Sequence, residues 1–161
     1  MGSVVKQNSN DYWRYAIFAA PLAAVGIPIY IYAPKFLVDH YGLSLWHVGA
    51  MFLFLRLIDV IQDPFLGKIA QKIGKYRRNS VLIFIVMLCF SVWFFFAVDP
   101  LFEPLIYSGL CLLIMFTAFS YLNICFYSQG LILVESKSIN THEGLAAWRE
   151  TGALIGIVTA C

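Results

Sequence analysis

Residues 56–78 read RLIDVIQDPFLGKIAQKIGKYRR, a stretch that starts inside an apolar run and ends in a cluster of basic residues. Within it Arg56, Asp59 and Asp63 follow one another at spacings of three and four residues. Residues at these spacings lie on one face of an α-helix. We expect the helix to break at Pro64, which has no backbone N–H to donate. The stretch therefore predicts a helix that carries a charged face into an apolar environment.

The composition of the chain is that of a membrane protein. Of its 161 residues, 61% are hydrophobic and 12% are charged, whereas soluble domains have about 45–50% apolar and about 25% charged residues. The formal net charge of +2 is too small to indicate a nucleic-acid partner. We therefore expect an all-α protein whose main partner is the lipid bilayer, and we expect no enzyme activity.

Five apolar segments are predicted to span the membrane. They cover approximately residues 15–32, 45–66, 81–98, 104–126 and 145–161, and residues 1–12 form a polar tail. The second segment is unusual because its uninterrupted apolar part ends at Leu55, short of the ~20 residues that a bilayer requires. It can cross only by carrying Arg56 and Asp59 inside. The rise from Trp46 to Asp59 is about 20 Å, which places Asp59 within a hydrocarbon core of about 30 Å.

The distribution of basic residues predicts the orientation. The loop between spans two and three contains five of them, and the loop between spans three and four contains none. The five are Lys68, Lys72, Lys75, Arg77 and Arg78. Because loops rich in Lys and Arg stay in the cytoplasm, we expect a multi-pass protein of the cell (inner) membrane with a cytoplasmic N-terminus.

The charged face in the second span admits two interpretations. A carboxylate inside a bilayer costs roughly 2.5–3.5 kcal/mol on insertion scales, so two carboxylates on one face are expected to be paired or used. Arg56 could neutralise one of them in a purely structural role. Alternatively, Asp59 and Asp63 could hold a small hard cation or share a proton, with Gln62 and Ser120 as further oxygen donors.

Two other polar features also admit alternatives. Asn123, one turn beyond Ser120, could form a hydrogen bond with a polar solute. Arg149 and Glu150 are adjacent and point about 100° apart on a helix, so they need not pair. Arg149 could therefore extend to the cytoplasmic surface or reach into a cavity as a contact for the solute or the gate. The basic loop could serve the topology alone or control opening on the cytoplasmic side.

Three segments of the sequence carry a family resemblance. RLIDVIQDPFLG resembles the second-helix signature of the glycoside–pentoside–hexuronide:cation symporters, the melibiose-carrier branch of the major facilitator superfamily. GKIAQKIGKYRR looks like that superfamily's loop motif, G-x-L-A-D-R-x-G-R-R. The segment from Asn123 to Gly156 is similar to the family's fourth-helix exit, connector and fifth-helix start. The resemblance covers most of residues 15–161.

The resemblance implies a major-facilitator-type helical bundle that takes up a sugar-like solute together with Na⁺ or H⁺ by alternating access. Residues 13–161 would then supply about five helices of an N-terminal six-helix half. The missing C-terminal half of the same chain would complete the protein, and the coupling ion would be its only cofactor. The last span ends without a flanking charge, and we accordingly expect the chain to be an N-terminal fragment.

The resemblance also implies roles for individual residues. Asp59 and Asp63 fall on the family's paired cation carboxylates, Gln62 falls where that site often has Asn, and Ser120 matches a hydroxyl ligand. Asn123 and Arg149 fall at substrate-binding positions. The cytoplasmic gate loop would comprise Gly67, Gln71, Gly74, Lys75, Arg77 and Arg78.

The chain also departs from the family pattern at particular positions. Leu22 and Asn123 replace acidic residues that grip sugar in the family, which argues against a galactoside-type solute. Gln71 replaces the usual Asp of the loop motif, which weakens the expected charge lock at the gate.

Two other functions fit parts of the sequence. A small membrane scaffold subunit would have five helices as its natural length and would need no ion. A metal-dependent intramembrane transferase could use the two aspartates to hold Mg²⁺, but such enzymes generally need a second carboxylate cluster. We expect transport rather than either alternative.

Overall fold

The computed structural model of the chain describes residues 9–73, 76–135 and 142–160. Within these ranges all regular structure is helical and no strand occurs. The five helices are α1 (Ser9–Tyr41), α2 (Leu45–Lys72), α3 (Arg77–Ala97), α4 (Pro104–Glu135) and α5 (His142–Ala160). The expectation of an all-α fold is confirmed.

Several helices are longer than the predicted spans. α1 has 33 residues, α2 has 28 and α4 has 32, against the ~20 that cross a hydrocarbon core. Four segments are long and apolar enough to cross a membrane: Ala19–Tyr41, Leu45–Lys72, Arg77–Ala97 and Pro104–Gly130. Helices of this length tilt or extend into the headgroup region.

α2 continues through Pro64 instead of breaking there, contrary to the expectation from the sequence. Proline leaves one carbonyl, that of Val60 four residues earlier, without its usual intrahelical donor. Unwinding the helix at membrane depth would expose several backbone groups that no water can satisfy. Losing one hydrogen bond is the smaller penalty, so the helix persists to Lys72.

The chain divides into two compact units. The first comprises Met1–Pro28 and Ser128–Cys161, and α1 meets α5 within it. A Cβ built on Gly156 would lie 2.0 Å from the carbonyl oxygen of Ala20. Gly152 is also buried and lies four residues earlier. Two glycines at this spacing allow membrane helices to approach backbone to backbone.

The second unit, Ile29–Tyr127, contains α2 and α4 packed along each other. Near their N-termini, the Ser108 hydroxyl lies 3.9 Å from the Met51 sulfur. Further along, a cluster joins two residues of α2 to two of α4: Leu66, Ala70, Tyr121 and Cys125. Residue numbers increase together along both helices, so α2 and α4 run parallel.

α3 is fixed to α4 by side chains that hydrogen-bond to backbone carbonyls. Ser91 Oγ donates to the Cys111 carbonyl at 2.7 Å, and the Tyr107 hydroxyl donates to the Phe94 carbonyl at 2.9 Å. The ring of Phe84 stacks on Tyr121 with centroids 3.9 Å apart. α3 therefore closes over the α4 surface that packs on α2.

Candidate cation site

Asp59 is the one buried charged side chain among the residues whose burial the structure describes, with 6% of its surface exposed. Its Oδ1 accepts a hydrogen bond from Gln62 Nε2 at 2.9 Å. Its Oδ2 lies 4.0 Å from Arg56 Nη1. A buried carboxylate requires such partners, because removing a charge from water is unfavourable unless it is paired or hydrogen-bonded. The sequence-predicted pair of Asp59 and Gln62 is thus brought together.

Arg56 lies further from the Asp59 carboxylate than Gln62 does. Its side chain is 57% exposed, and its 4.0 Å separation from Asp59 is at the limit of an ion pair. The Arg56 guanidinium also lies over the Tyr30 ring, 4.4 Å from its centroid, and Tyr30 stacks on Phe116 at 5.3 Å. Arg56 is therefore held beside Asp59 by a ring from α1.

Thr117 on α4 is a member of the site that the sequence analysis missed. Its Oγ1 lies 3.2 Å from Gln62 Oε1 and 2.8 Å from the carbonyl oxygen of Leu113. Thr117 thereby connects α4 to the Asp59–Gln62 pair on α2. The sequence feature that could have indicated Thr117 is its position three residues before Ser120, which puts both hydroxyls on one face of the helix.

The remaining predicted cation residues surround this pair less closely. Asp63 follows Gln62 on α2 and its side chain is exposed. Ser120 is half-buried on α4, about 4.5 Å further along the helix axis than Thr117. All these groups offer oxygen donors, which suit hard cations. Among the described residues, no three His, Cys, Asp or Glu side chains come together to hold a metal.

The predicted substrate residues lie in different units. Asn123 is half-buried on α4, in the second unit, and Arg149 is half-buried on α5, in the first. Arg149 Nε donates to Glu150 Oε1 at 3.1 Å, and Arg149 Nη2 lies 2.5 Å from the same oxygen. The adjacent pair does meet, because both side chains are long enough to bend toward each other across the 100° between them.

Most of the predicted gate loop is helical. Gly67 and Gln71 lie in the last turns of α2, and Arg77 and Arg78 begin α3. Gly74 and Lys75 lie outside the described residues. Arg77 Nη2 donates to the Cys125 carbonyl at 2.6 Å, which ties the start of α3 to α4.

Comparison with known proteins gives a consistent set of relatives. The family described as MFS/sugar transport protein matches residues 14–161. Raffinose permease of Escherichia coli is 25% identical over 109 residues, covering 68% of this chain and 26% of the relative. Melibiose permease of Enterobacter cloacae is 26% identical over 104 residues, covering 65% and 24%.

A third relative is the uncharacterized symporter YnaJ of Bacillus subtilis, 34% identical over 65 residues, or 35% of this chain and 14% of the relative. The chain thus spans about a quarter of the length of the two permeases. No solved structure gives a significant match.

Proposed function

The chain belongs to the MFS/sugar transport protein family, and from this premise we propose that its protein is a secondary active transporter. It takes up a sugar or related small solute together with Na⁺ or H⁺. The observation that carries the coupling is the buried carboxylate of Asp59, held by an amide in the middle of a membrane helix. Ionisable groups at such positions mark ion pathways in membrane proteins. The printed names of the relatives, two permeases and a symporter, support transport rather than catalysis.

The coupling ion binds at Asp59, with Gln62, Ser120 and Asp63 as further oxygen donors. Asp63 is exposed in this chain, which spans about a quarter of the permeases it resembles. In a carrier of their length, further helices would cover the face that bears Asp63. A cation between the two carboxylates would then neutralise both charges as they leave water.

We propose Asn123 in the second unit and Arg149 in the first as separate contacts for the solute. Asn123 on α4 offers an amide that can donate to and accept from sugar hydroxyls. Arg149 on α5 offers a planar guanidinium, which contacts Glu150 in this structure. The solute would compete with Glu150 for that guanidinium.

Alternating access requires an element that changes its contacts on the cytoplasmic side. We propose the segment between α2 and α3 as this element, because Arg77 at the start of α3 donates a hydrogen bond to a backbone carbonyl of α4. We assign this segment to the cytoplasmic gate, and the protein to the inner membrane with a cytoplasmic N-terminus.

The assignment is tested by sodium binding to the product of the native gene. We expect Asp59→Asn to abolish binding of ²²Na⁺ to the purified protein, because the charge that holds the ion is removed. Asp39→Asn, at an exposed carboxylate near the end of α1, is the matched control and should not change this binding. Unaltered ²²Na⁺ binding by Asp59→Asn would refute the cation site.

A further inference from the structure

The Thr117 hydroxyl has one hydrogen and two acceptors within reach. Its Oγ1 is 2.8 Å from the Leu113 carbonyl and 3.2 Å from Gln62 Oε1. A single hydrogen cannot serve both acceptors fully, so the hydroxyl has a choice of donor direction. When the hydroxyl donates to the Leu113 carbonyl, its lone pairs remain available to accept a hydrogen bond from another donor.

The Gln62 amide offers the complementary choice. Its oxygen and nitrogen ends have nearly the same shape, so a half-turn about the last side-chain bond exchanges them. In one orientation, Nε2 donates to Asp59 and Oε1 accepts from Thr117, as the distances of 2.9 and 3.2 Å permit. In the other, Nε2 donates to Thr117 Oγ1, and Thr117 donates to Leu113. That second orientation turns Gln62 Oε1 toward the Asp59 carboxylate.

The charge at Asp59 decides between these orientations. Two oxygens facing each other repel unless a positive charge lies between them. An empty anionic site therefore favours the amide nitrogen at Asp59, and an occupied site favours the amide oxygen. Two other charged groups lie near Asp59: Arg56, at 4.0 Å, and Asp63 on the same helix. Both are present whether the cation site is empty or occupied.

We propose that Thr117 is a positioning residue that allows the Gln62 amide to flip by a half-turn when a cation binds at Asp59. Gln62 is then a hydrogen-bond donor in the empty site and an oxygen ligand in the occupied site. This inference rests on the proposed function. In the turned orientation Thr117 both donates and accepts, one hydrogen bond more than before. Removing its hydroxyl should therefore weaken cation binding about two- to tenfold, the equivalent of one net hydrogen bond.

The first test is a double-mutant cycle on ²²Na⁺ affinity, using the purified product of the native gene. We expect Thr117→Val to weaken sodium binding about two- to tenfold, and Thr117→Ser to restore the affinity because it keeps the hydroxyl. In a Gln62→Leu background, Thr117→Val should have no further effect, because the amide through which it acts is absent. Thr159→Val is the matched control, since Thr159 donates only within its own helix, to Ile155 at 2.9 Å and Gly156 at 3.0 Å.

The second test observes the amide itself, and it uses the unmutated protein in case Thr117→Val does not fold. With ¹⁵N-labelled glutamine, the Gln62 side-chain signal is identified by its loss in Gln62→Leu. We expect that signal to shift when Na⁺ is added, because its acceptor changes from a carboxylate to a hydroxyl. If the protein binds ²²Na⁺ but the Gln62 signal does not shift, the proposed amide flip is refuted.

The outcomes separate the two proposals. Sodium binding that depends on Asp59 but is equally weakened by Thr117→Val with and without Gln62 overturns the inference and leaves the proposed function standing. Sodium binding that is indifferent to Asp59→Asn overturns the proposed cation site and this inference with it. Absent sodium binding overturns this inference alone, because the proposed function also allows a proton as the coupling ion.

Discussion

At the scale of single residues, hydroxyl groups satisfy backbone carbonyls that the helices leave without full partners. Phe94 is among the last four residues of α3, which ends at Ala97, and the last four carbonyls of a helix have no intrahelical donor. The Tyr107 hydroxyl donates to the Phe94 carbonyl from α4. The Tyr107 hydroxyl therefore satisfies a backbone carbonyl in the last turn of α3.

Removing that hydroxyl tests its contribution. We expect Tyr107→Phe to lower the free energy of unfolding by about 0.5–1 kcal/mol, because one net hydrogen bond is lost while the ring stays in place. The measurement is the unfolding midpoint of the purified protein in a mixed-micelle denaturant titration. Tyr32→Phe, at a ring with 50% of its surface exposed, should leave the midpoint unchanged. A larger shift for Tyr32 than for Tyr107 would contradict this reading.

The sequence predicted part of the candidate site at this scale. Asp59 and Gln62 could be found because a carboxylate and an amide three residues apart share a helix face. Thr117 could not, because its contact with Gln62 depends on the register between α2 and α4. The pairing of Arg149 with Glu150 could not be predicted either, because the angle between adjacent residues on a helix does not show how far their long side chains bend.

At the scale of helices, α1 and α5 approach each other backbone to backbone. The two glycines of α5, Gly152 and Gly156, have the spacing of a small-residue contact motif, and both are buried. The motif was present in the sequence, but nothing there showed which helix it meets. The structure supplies Ala20 of α1 as the neighbour.

A pair of identical substitutions tests this packing. In a helix interior, Gly→Ala normally stabilises by about 0.5–1 kcal/mol, and Gly49→Ala should show that gain because a Cβ there meets nothing within 4 Å. Gly156→Ala should instead destabilise by about 1–3 kcal/mol, since its Cβ meets the Ala20 backbone at 2.0 Å and the helices must separate. Thermal unfolding of the purified protein measures both. Equal effects at the two sites would show that α1 and α5 do not pack closely there.

At the scale of the whole molecule, the all-helical fold followed from composition and apolar run length. The lengths of the helices did not follow, because helices such as α4 continue beyond the bilayer through residues of mixed polarity. The persistence of α2 through Pro64 was also missed, since the environment rather than local propensity decides it.

The predicted orientation can be measured on the product of the native gene. With the native cysteines replaced by alanine, we expect Tyr76→Cys to react with an impermeant maleimide only in inside-out vesicles. Leu101→Cys should react only in right-side-out vesicles. Both positions are well exposed, at 65% and 77%, and the basic residues beside Tyr76 assign that end to the cytoplasm. The reverse labelling pattern would invert the topology.

The parallel pairing of α2 and α4 has a consequence for biosynthesis. Gln62 and Thr117 are 55 residues apart, and ribosomes add about 5–20 residues per second. Gln62 is therefore made roughly 3–11 seconds before the hydroxyl that it later meets. Before α4 is made, the Asp59 charge can be accompanied by Gln62 and Arg56 of α2 and by the earlier helix α1, whose Tyr30 lies against Arg56.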